Sequence, residues 1–302
     1  MRGDEIGTVE GEERLSSLDG LEALQAFFML AQRRETPFIL DDQIAITEQL
    51  LVLARAHCAA GQGTQSDVLR LENEAARFRA DRRALDAEIR GAEAMLDTAL
   101  ARDPTAPIPP LAWNDELNDP PALDALVAKA IANRPELAGA RAGRRRALAE
   151  VDVMKSMYSP MALLRVGPAY MTSDGPGVMA MVGISVPIWR ERLKAGVSEA
   201  QSMVAMASAD ISAMERMITG TIAVARESVL AERTRLLAIR QDILPRARQV
   251  VASATGGFAA GKGSMLDVLD PTRDLLEIRM QELMARARLS MAWAKVRRET
   301  AE

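Results

Sequence analysis

The stretch FAAGKGSMLDVLD, residues 258–270, repeats a pattern already met at residues 58–70, CAAGQGTQSDVLR. The shared frame is A-A-G-x-G-[ST]-x-x-D-V-L, two hundred residues apart. Alone, the second copy invites a phosphate-loop reading, because Gly256, Gly261 and Lys262 fall at that loop's spacing. The residues argue against it. A phosphate loop needs Ser or Thr directly after the Lys, and a strand before the glycines. Here Gly263 follows Lys262, and Ser264 arrives one residue late. Upstream, Leu230, Leu237, Leu244 and Val251 recur every seven residues, as do Val229, Leu236, Ile243 and Val250. That period predicts a helix with a broad apolar seam. The first copy carries Gln62 in place of Lys262. A phosphate cradle has no use for a duplicate without its lysine.

A duplicated helix–turn–helix needs the glycines twice. Glycine tolerates the positive φ of a tight reversal, so Gly61, Gly63, Gly261 and Gly263 are expected to turn the chain over. Thr64 and Ser264 then stand ready to cap the outgoing helices, with Asp67 and Asp267 three residues on. That is the acidic relative of the capping box.

Composition narrows the function. The chain has 302 residues, enough for one or two domains. Charged residues are 26% and hydrophobic ones 48%, which is not a disordered composition. Aromatics are 3%, too few for most packed α/β enzymes, and the rest suits long helices and coiled coils. A net charge of −4 gives no footprint for nucleic acid, and Arg144–Arg146 read as a solvated helix face. A single Cys58 excludes an intrachain disulfide. His57, the one histidine, points away from its neighbour Cys58 on a helix, so no metal pair is expected. No Ser–His–Asp or Cys–His constellation can be assembled, and neither enzyme activity nor a cofactor is expected. Residues 1–20 are acidic, with no basic and apolar regions of a signal peptide. No run of about 18 apolar residues offers a transmembrane helix.

Along the chain, residues 20–57 read as helix, with a break expected near Pro37. From Val68 through Leu71, Ala75, Phe78, Arg82, Leu85, Ile89, Ala92 and Leu96 to Ala99 an a/d seam predicts a long helix laid antiparallel on the first. Residues 103–121 hold six prolines and form a linker. A short helix is expected at about 122–132, then another opened by Pro135. The period then changes to two. Residues 161–172 and 178–189 predict a β-hairpin turned by SDGPG, 173–177. In the second strand Val178, Ala180, Val182, Ile184, Val186 and Ile188 share one apolar face. Each strand is about long enough to cross a bilayer as a tilted barrel strand. Helix resumes to about 255, and after the second glycine turn the seam continues through Leu275, Ile278, Ala285, Leu289, Ala292 and Val296. The expected fold is mostly α: long antiparallel coiled-coil hairpins of the α-barrel type, with one β-hairpin for a transmembrane β-barrel.

This order of elements, with NRPEL (133–137), YSP (158–160), GISVPIW (183–189), RLKAGVSEAQ (192–201) and the two glycine turns, resembles the TolC family of outer-membrane efflux channels over about residues 20–302. The resemblance implies a homotrimer. Each protomer gives four strands to a twelve-stranded barrel in outer-membrane lipid, and the helices form a periplasmic tunnel. The turns at its tip, Gly61, Gly63, Thr64, Gly261, Gly263 and Ser264, would meet the periplasmic adaptor of an inner-membrane pump. Asp267 and Asp270 match the family's tip acids, and Asp67 and Ser66 match tip positions of the first turn. Three-fold symmetry would gather such carboxylates at one constriction, where like charges attract cations. Asp67 and Asp267 equally fit the capping role. Asp270 has no such counterpart, since Arg70 stands in the first copy, and Phe258 sits where the family often has Tyr.

On this reading the domains run 1–19 (a divergent or truncated N-terminus), 20–103 (first helical hairpin), 104–132 (linker and short helix), 133–160 (helix), 161–189 (β-hairpin) and 190–302 (second helical hairpin). Beside the family's full repeat, the first helix and β-hairpin are expected to be missing. Six strands from three protomers fall short of the roughly eight of the smallest common barrels. The expectation is therefore an N-terminally truncated member, with a non-functional remnant or a soluble structural coiled coil as the alternative. The pump's adaptor would need lipoyl-like and barrel domains that the sequence lacks. A lesser reading is copper or silver efflux. It is drawn from 17 methionines, of which Met154, Met157 and Met161 are spaced for one helix face.

Overall fold

The computed structural model describes residues 20–111, 113, 116–171 and 175–301. The N-terminal segment 1–19 and the hairpin turn at Ser173 and Asp174 lie outside the described residues. The elements are α1 (Gly20–Ala59), α2 (Gln65–Ala99), α3 (Leu123–Asn133), α4 (Pro135–Ser156), β1 (Met161–Met171), β2 (Gly175–Ser185), α5 (Arg190–Ala238), a π-helical turn (Ile239–Ile243), α6 (Leu244–Ala259) and α7 (Leu266–Thr300). They fall into two compact units, one of residues up to Val127 and from Thr221 on, the other of Ala128–Gly220. Among the described residues no helix is long and apolar enough to cross a membrane.

In the first unit α1 packs on α2 and α7, and α7 also packs on α6. Of the expected α2 seam, Val68, Leu71, Ala75, Phe78, Leu85, Ala92 and Leu96 are buried, and Ile89 and Ala99 are half-buried. Its one polar member, Arg82, reaches Asp41 at 3.1 Å and Asp86 at 2.6 Å. The expected seam of α7 is also covered, with Leu275, Ala285, Leu289, Ala292 and Val296 buried and Ile278 half-buried. The break expected at Pro37 does not occur, and α1 runs through it. Proline removes one donor, but packing along both sides of a forty-residue helix holds the direction of the chain.

The second departure is Pro245. Its missing N–H cannot serve the preceding turn, and the Leu244 amide reaches back five residues to the Ile239 carbonyl. This π-turn inserts one residue and rotates everything after it. Leu236, Ile239 and Leu244 are buried, whereas Ile243 and Val250, expected in the seam, are exposed. The other predicted row, Leu230, Leu237, Leu244 and Val251, stays buried or half-buried through the insertion.

The proline-rich linker is held by cations from the helices. Arg34 donates to the carbonyls of Pro109 at 2.7 Å and Ile108 at 3.0 Å. Arg286 donates to the Trp113 carbonyl at 2.7 Å and lies 4.0 Å over its ring. Arg233 donates to the Leu117 carbonyl at 2.6 Å. An extended chain with few backbone partners of its own thus has these four carbonyls satisfied.

In the second unit β1 and β2 form an antiparallel two-stranded sheet, Met161 opposite Ser185 and Met171 opposite Gly175. The second strand was expected at 178–189. It instead starts at Gly175 and stops at Ser185, because β1 offers no partner beyond Met161 and Pro187 has no amide to pair. Residues directly opposite share a face. One face therefore collects Ala162, Leu164, Val166, Pro168 and Tyr170 with Pro176, Val178, Ala180, Val182 and Ile184. Every one of them is apolar or aromatic, and the large ones are exposed. In the same unit, Arg141 of α4 bridges to Glu215 of α5 at 3.2 Å.

Candidate functional site at the paired helical turns

Both glycine turns close in the same way. At the end of α1 the Gly61 amide donates to the Cys58 carbonyl (3.0 Å) and the Gln62 amide to the His57 carbonyl (2.9 Å). At the end of α6 the Gly261 amide donates to the Phe258 carbonyl (3.0 Å) and the Lys262 amide to the Gly257 carbonyl (2.9 Å). Each pair is a Schellman closure with glycine in the left-handed position. Gly61 has φ 70° and Gly261 φ 69°. Gly63 and Gly263 do not. At Gly63 the constraint is space, since a Cβ would come 3.2 Å from the Cys58 nitrogen.

The outgoing helices are capped as a pair. The Asp67 amide donates to Thr64 Oγ1 at 3.2 Å, and the Thr64 amide donates to Asp67 Oδ2 at 3.3 Å. The Asp267 amide donates to Ser264 Oγ at 3.3 Å, and the Ser264 amide donates to Asp267 Oδ2 at 2.7 Å. The Ser264 amide, and then its side chain, hold the Asp267 carboxyl below the usual carboxylate range. A depressed folded value stabilises the turn above the ordinary Asp range and is lost as pH falls through the lowered value. Wild type is thus expected to melt above Asp267→Ala at about pH 7, with the gap closing as pH falls below the ordinary Asp range. Thermal denaturation across that range checks it, and a gap independent of pH would remove the cap from the account.

The two turns meet. Leu50, Leu51 and Ala54 of α1, Val68 and Leu71 of α2, Phe258 of α6, and Met265, Val268 and Leu269 at the start of α7 form one buried cluster. The His57 ring stacks on Phe258 at 4.7 Å between centroids. One link joins α2 directly to α7. Arg273 donates through Nε and one terminal nitrogen to both oxygens of Glu74, each at 2.9 Å. That bond, outweighing burial, keeps the Glu74 carboxyl below its ordinary value. Asp270 lies 3.9 Å from the same guanidinium, its side chain 71% exposed.

The expected site residues therefore gather at one tip. Gly61, Thr64, Ser66, Gly261, Gly263, Ser264, Asp267 and Asp270 are exposed there, with Gly63 and Asp67 half-covered. Asp67 and Asp267 are engaged as caps, while Asp270 serves no cap, as its sequence position implied. Two partners escaped sequence reasoning, the Glu74–Arg273 pair and the His57–Phe258 stack. Neither has a signal in spacing, since each joins helices about 200 residues apart. The methionine triad does not form one face. Helix α4 stops at Ser156, Met157 caps it, and Met161 opens β1. Among the described residues no cluster of His, Cys, Asp or Glu could hold a metal ion.

Long helices with paired turns at their ends, and a β-hairpin with one wholly apolar face, define a helical-hairpin protein. The sequence pattern described as "Outer membrane efflux protein" matches residues 126–301, and the chain belongs to that family. It is 30% identical over 170 residues to the cobalt-zinc-cadmium resistance protein CzcC of Cupriavidus metallidurans, covering 56% of this chain. The match spans 40% of that relative's length. In structure it resembles the outer membrane protein VceC of Vibrio cholerae, with TM-score 0.74, 17% identity, and coverage of 98% of this chain and 72% of that one. It also resembles CusC, with TM-score 0.76, 16% identity, and coverage of 98% and 75%. At these identities the two structures speak for the fold.

Proposed function

We propose that this chain is a subunit of a passive outer-membrane export channel, assembled as a homotrimer. Its helices form the periplasmic tunnel, and its hairpin enters the lipid as part of a β-barrel. The observation that carries the reading is the hairpin. Both strands are 11 residues long and one face is apolar throughout. Water gives no reason to align ten such residues, whereas lipid does. An open two-stranded edge is not tolerated in lipid, so further strands must close it.

The exposed tip would receive a periplasmic adaptor and, through it, an inner-membrane pump. Asp270, with Asp267, Asp67 and Ser66, would line the constriction. In a planar bilayer, the purified protein is expected to give discrete cation-selective conductance. Asp267→Asn with Asp270→Asn should lower that selectivity severalfold, since fixed carboxylates at a narrow ring set it. Absence of any conductance would remove the channel reading. Conductance with unchanged selectivity would remove the two aspartates from the constriction. A narrower reading, export of metal ions, is favoured by the likeness to a protein named for cobalt, zinc and cadmium resistance.

A further inference from the structure

Helix α5 carries a second pattern beside its buried seam. Met203, Met206, Asp210, Met214 and Met217 follow one another at spacings of three and four. At about 100° per residue they fall within one arc of roughly 80°. The seam, through Ala200 and Ile218, lies on the adjacent face. Met203, Met206 and Met217 are 51%, 59% and 61% exposed, Met214 is half-buried and Asp210 is exposed. The four methionines form two pairs, MVAM (203–206) and MERM (214–217), placed symmetrically about Asp210.

An apolar stripe meant only for packing gains nothing from a carboxylate at its centre, since an unpaired charge resists burial. No ion pair of Asp210 is found among the described residues, whereas nearby Glu215 is engaged by Arg141. By the same spacing Arg216 lies on the far side of the helix. Side chains at i and i+3 have Cβ atoms about 5–6 Å apart. Methionine is long, unbranched and polarizable, so two of them can close on one ion. Thioethers choose soft ions such as Cu(I) over harder divalent ones.

We propose that Met203/Met206 and Met214/Met217 are two thioether sites for a soft monovalent metal cation, Cu(I) or Ag(I), with Asp210 between them as the attracting charge. Binding is coordination alone, with no change in oxidation state. The inference rests on α5 itself and not on the channel reading.

Ag(I), which has no redox chemistry here, is the probe. Cys58→Ser is the background, because a thiolate would dominate uptake. In equilibrium dialysis against silver nitrate, each pair is expected to account for about one equivalent. Met203→Leu with Met206→Leu should remove one share, and Met214→Leu with Met217→Leu the other. Met179→Leu with Met181→Leu in the hairpin should remove none. Leucine keeps volume and helix propensity. Independently of any methionine variant, ε-methyl signals of the Cys58→Ser protein should shift at these four residues. Added Zn(II) should not reverse the shift. Equal uptake by the fourfold leucine variant, shifts confined to other methionines, or displacement by Zn(II) would each overturn the assignment. Silver uptake without bilayer conductance would sink the channel reading and leave this one standing.

Discussion

Leu71→Ala is expected to loosen both glycine turns at once. Leu71 is fully buried in the cluster that contains residues of α1, α2, α6 and the start of α7. Truncation loses the transfer free energy of the side chain and leaves a cavity, together about 3 kcal/mol. The cluster is shared by four helices, so no single one can relax freely to fill the space. Native-state hydrogen exchange separates this local loss from global unfolding. Amides near Gly61–Val68 and Phe258–Leu269 should exchange roughly a hundredfold faster, since each 1.4 kcal/mol is a factor of ten. Hairpin amides in β1 and β2, which belong to the other compact unit, should not change. If only the first turn accelerates, the two turns do not share a core, and the paired tip dissolves into two independent hairpins.

That shared core could not be read from the sequence, though much around it could. The duplicated A-A-G-x-G-[ST]-x-x-D frame gave both reversals and both caps, because Schellman closure and reciprocal capping depend on residues within about six positions of each other. The α2 seam was equally legible, since burial along one helix is periodic. Failures came where tertiary packing or one local defect outweighed the pattern. Pro37 was expected to break α1, yet burial along both of its flanks carried the helix through. Pro245 was hidden inside a good heptad, and the π-turn it goes with moved Ile243 and Val250 to the surface. The second strand was placed too late in the chain, at 178–189, because its end is set by where β1 begins and not by its own alternation. At the candidate site, Asp67, Asp267 and the glycines were visible as repeats, and Asp270 as the position where the repeat fails. Glu74 and Arg273 were not, because no spacing rule joins residues 199 positions apart.

The Glu74–Arg273 pair yields the second large effect, and an asymmetric one. Glu74 has a side chain 10% exposed, whereas that of Arg273 is 48% exposed. Arg273→Ala leaves a nearly buried carboxylate without its bidentate partner, and about 2 kcal/mol should be lost. Glu74→Leu leaves a half-exposed guanidinium that water and Asp270 can still satisfy, so its cost should stay near about 0.5–1 kcal/mol. The double variant should resemble Glu74→Leu alone, because the penalty of Arg273→Ala comes from the stranded charge and not from lost packing. A double-mutant cycle read by hydrogen exchange at the tip measures this coupling. The depressed value of Glu74 sets the pH window. The pair contributes fully above the ordinary Glu range and fades as pH falls through the lowered value. The cost of Arg273→Ala should therefore shrink from its value at about pH 7 as pH falls below the ordinary Glu range. Equal costs for the two single variants, or strict additivity, would show that the carboxylate is solvated at the tip. The link between α2 and α7 would then be geometric only, and the turns would be held together by their apolar core alone.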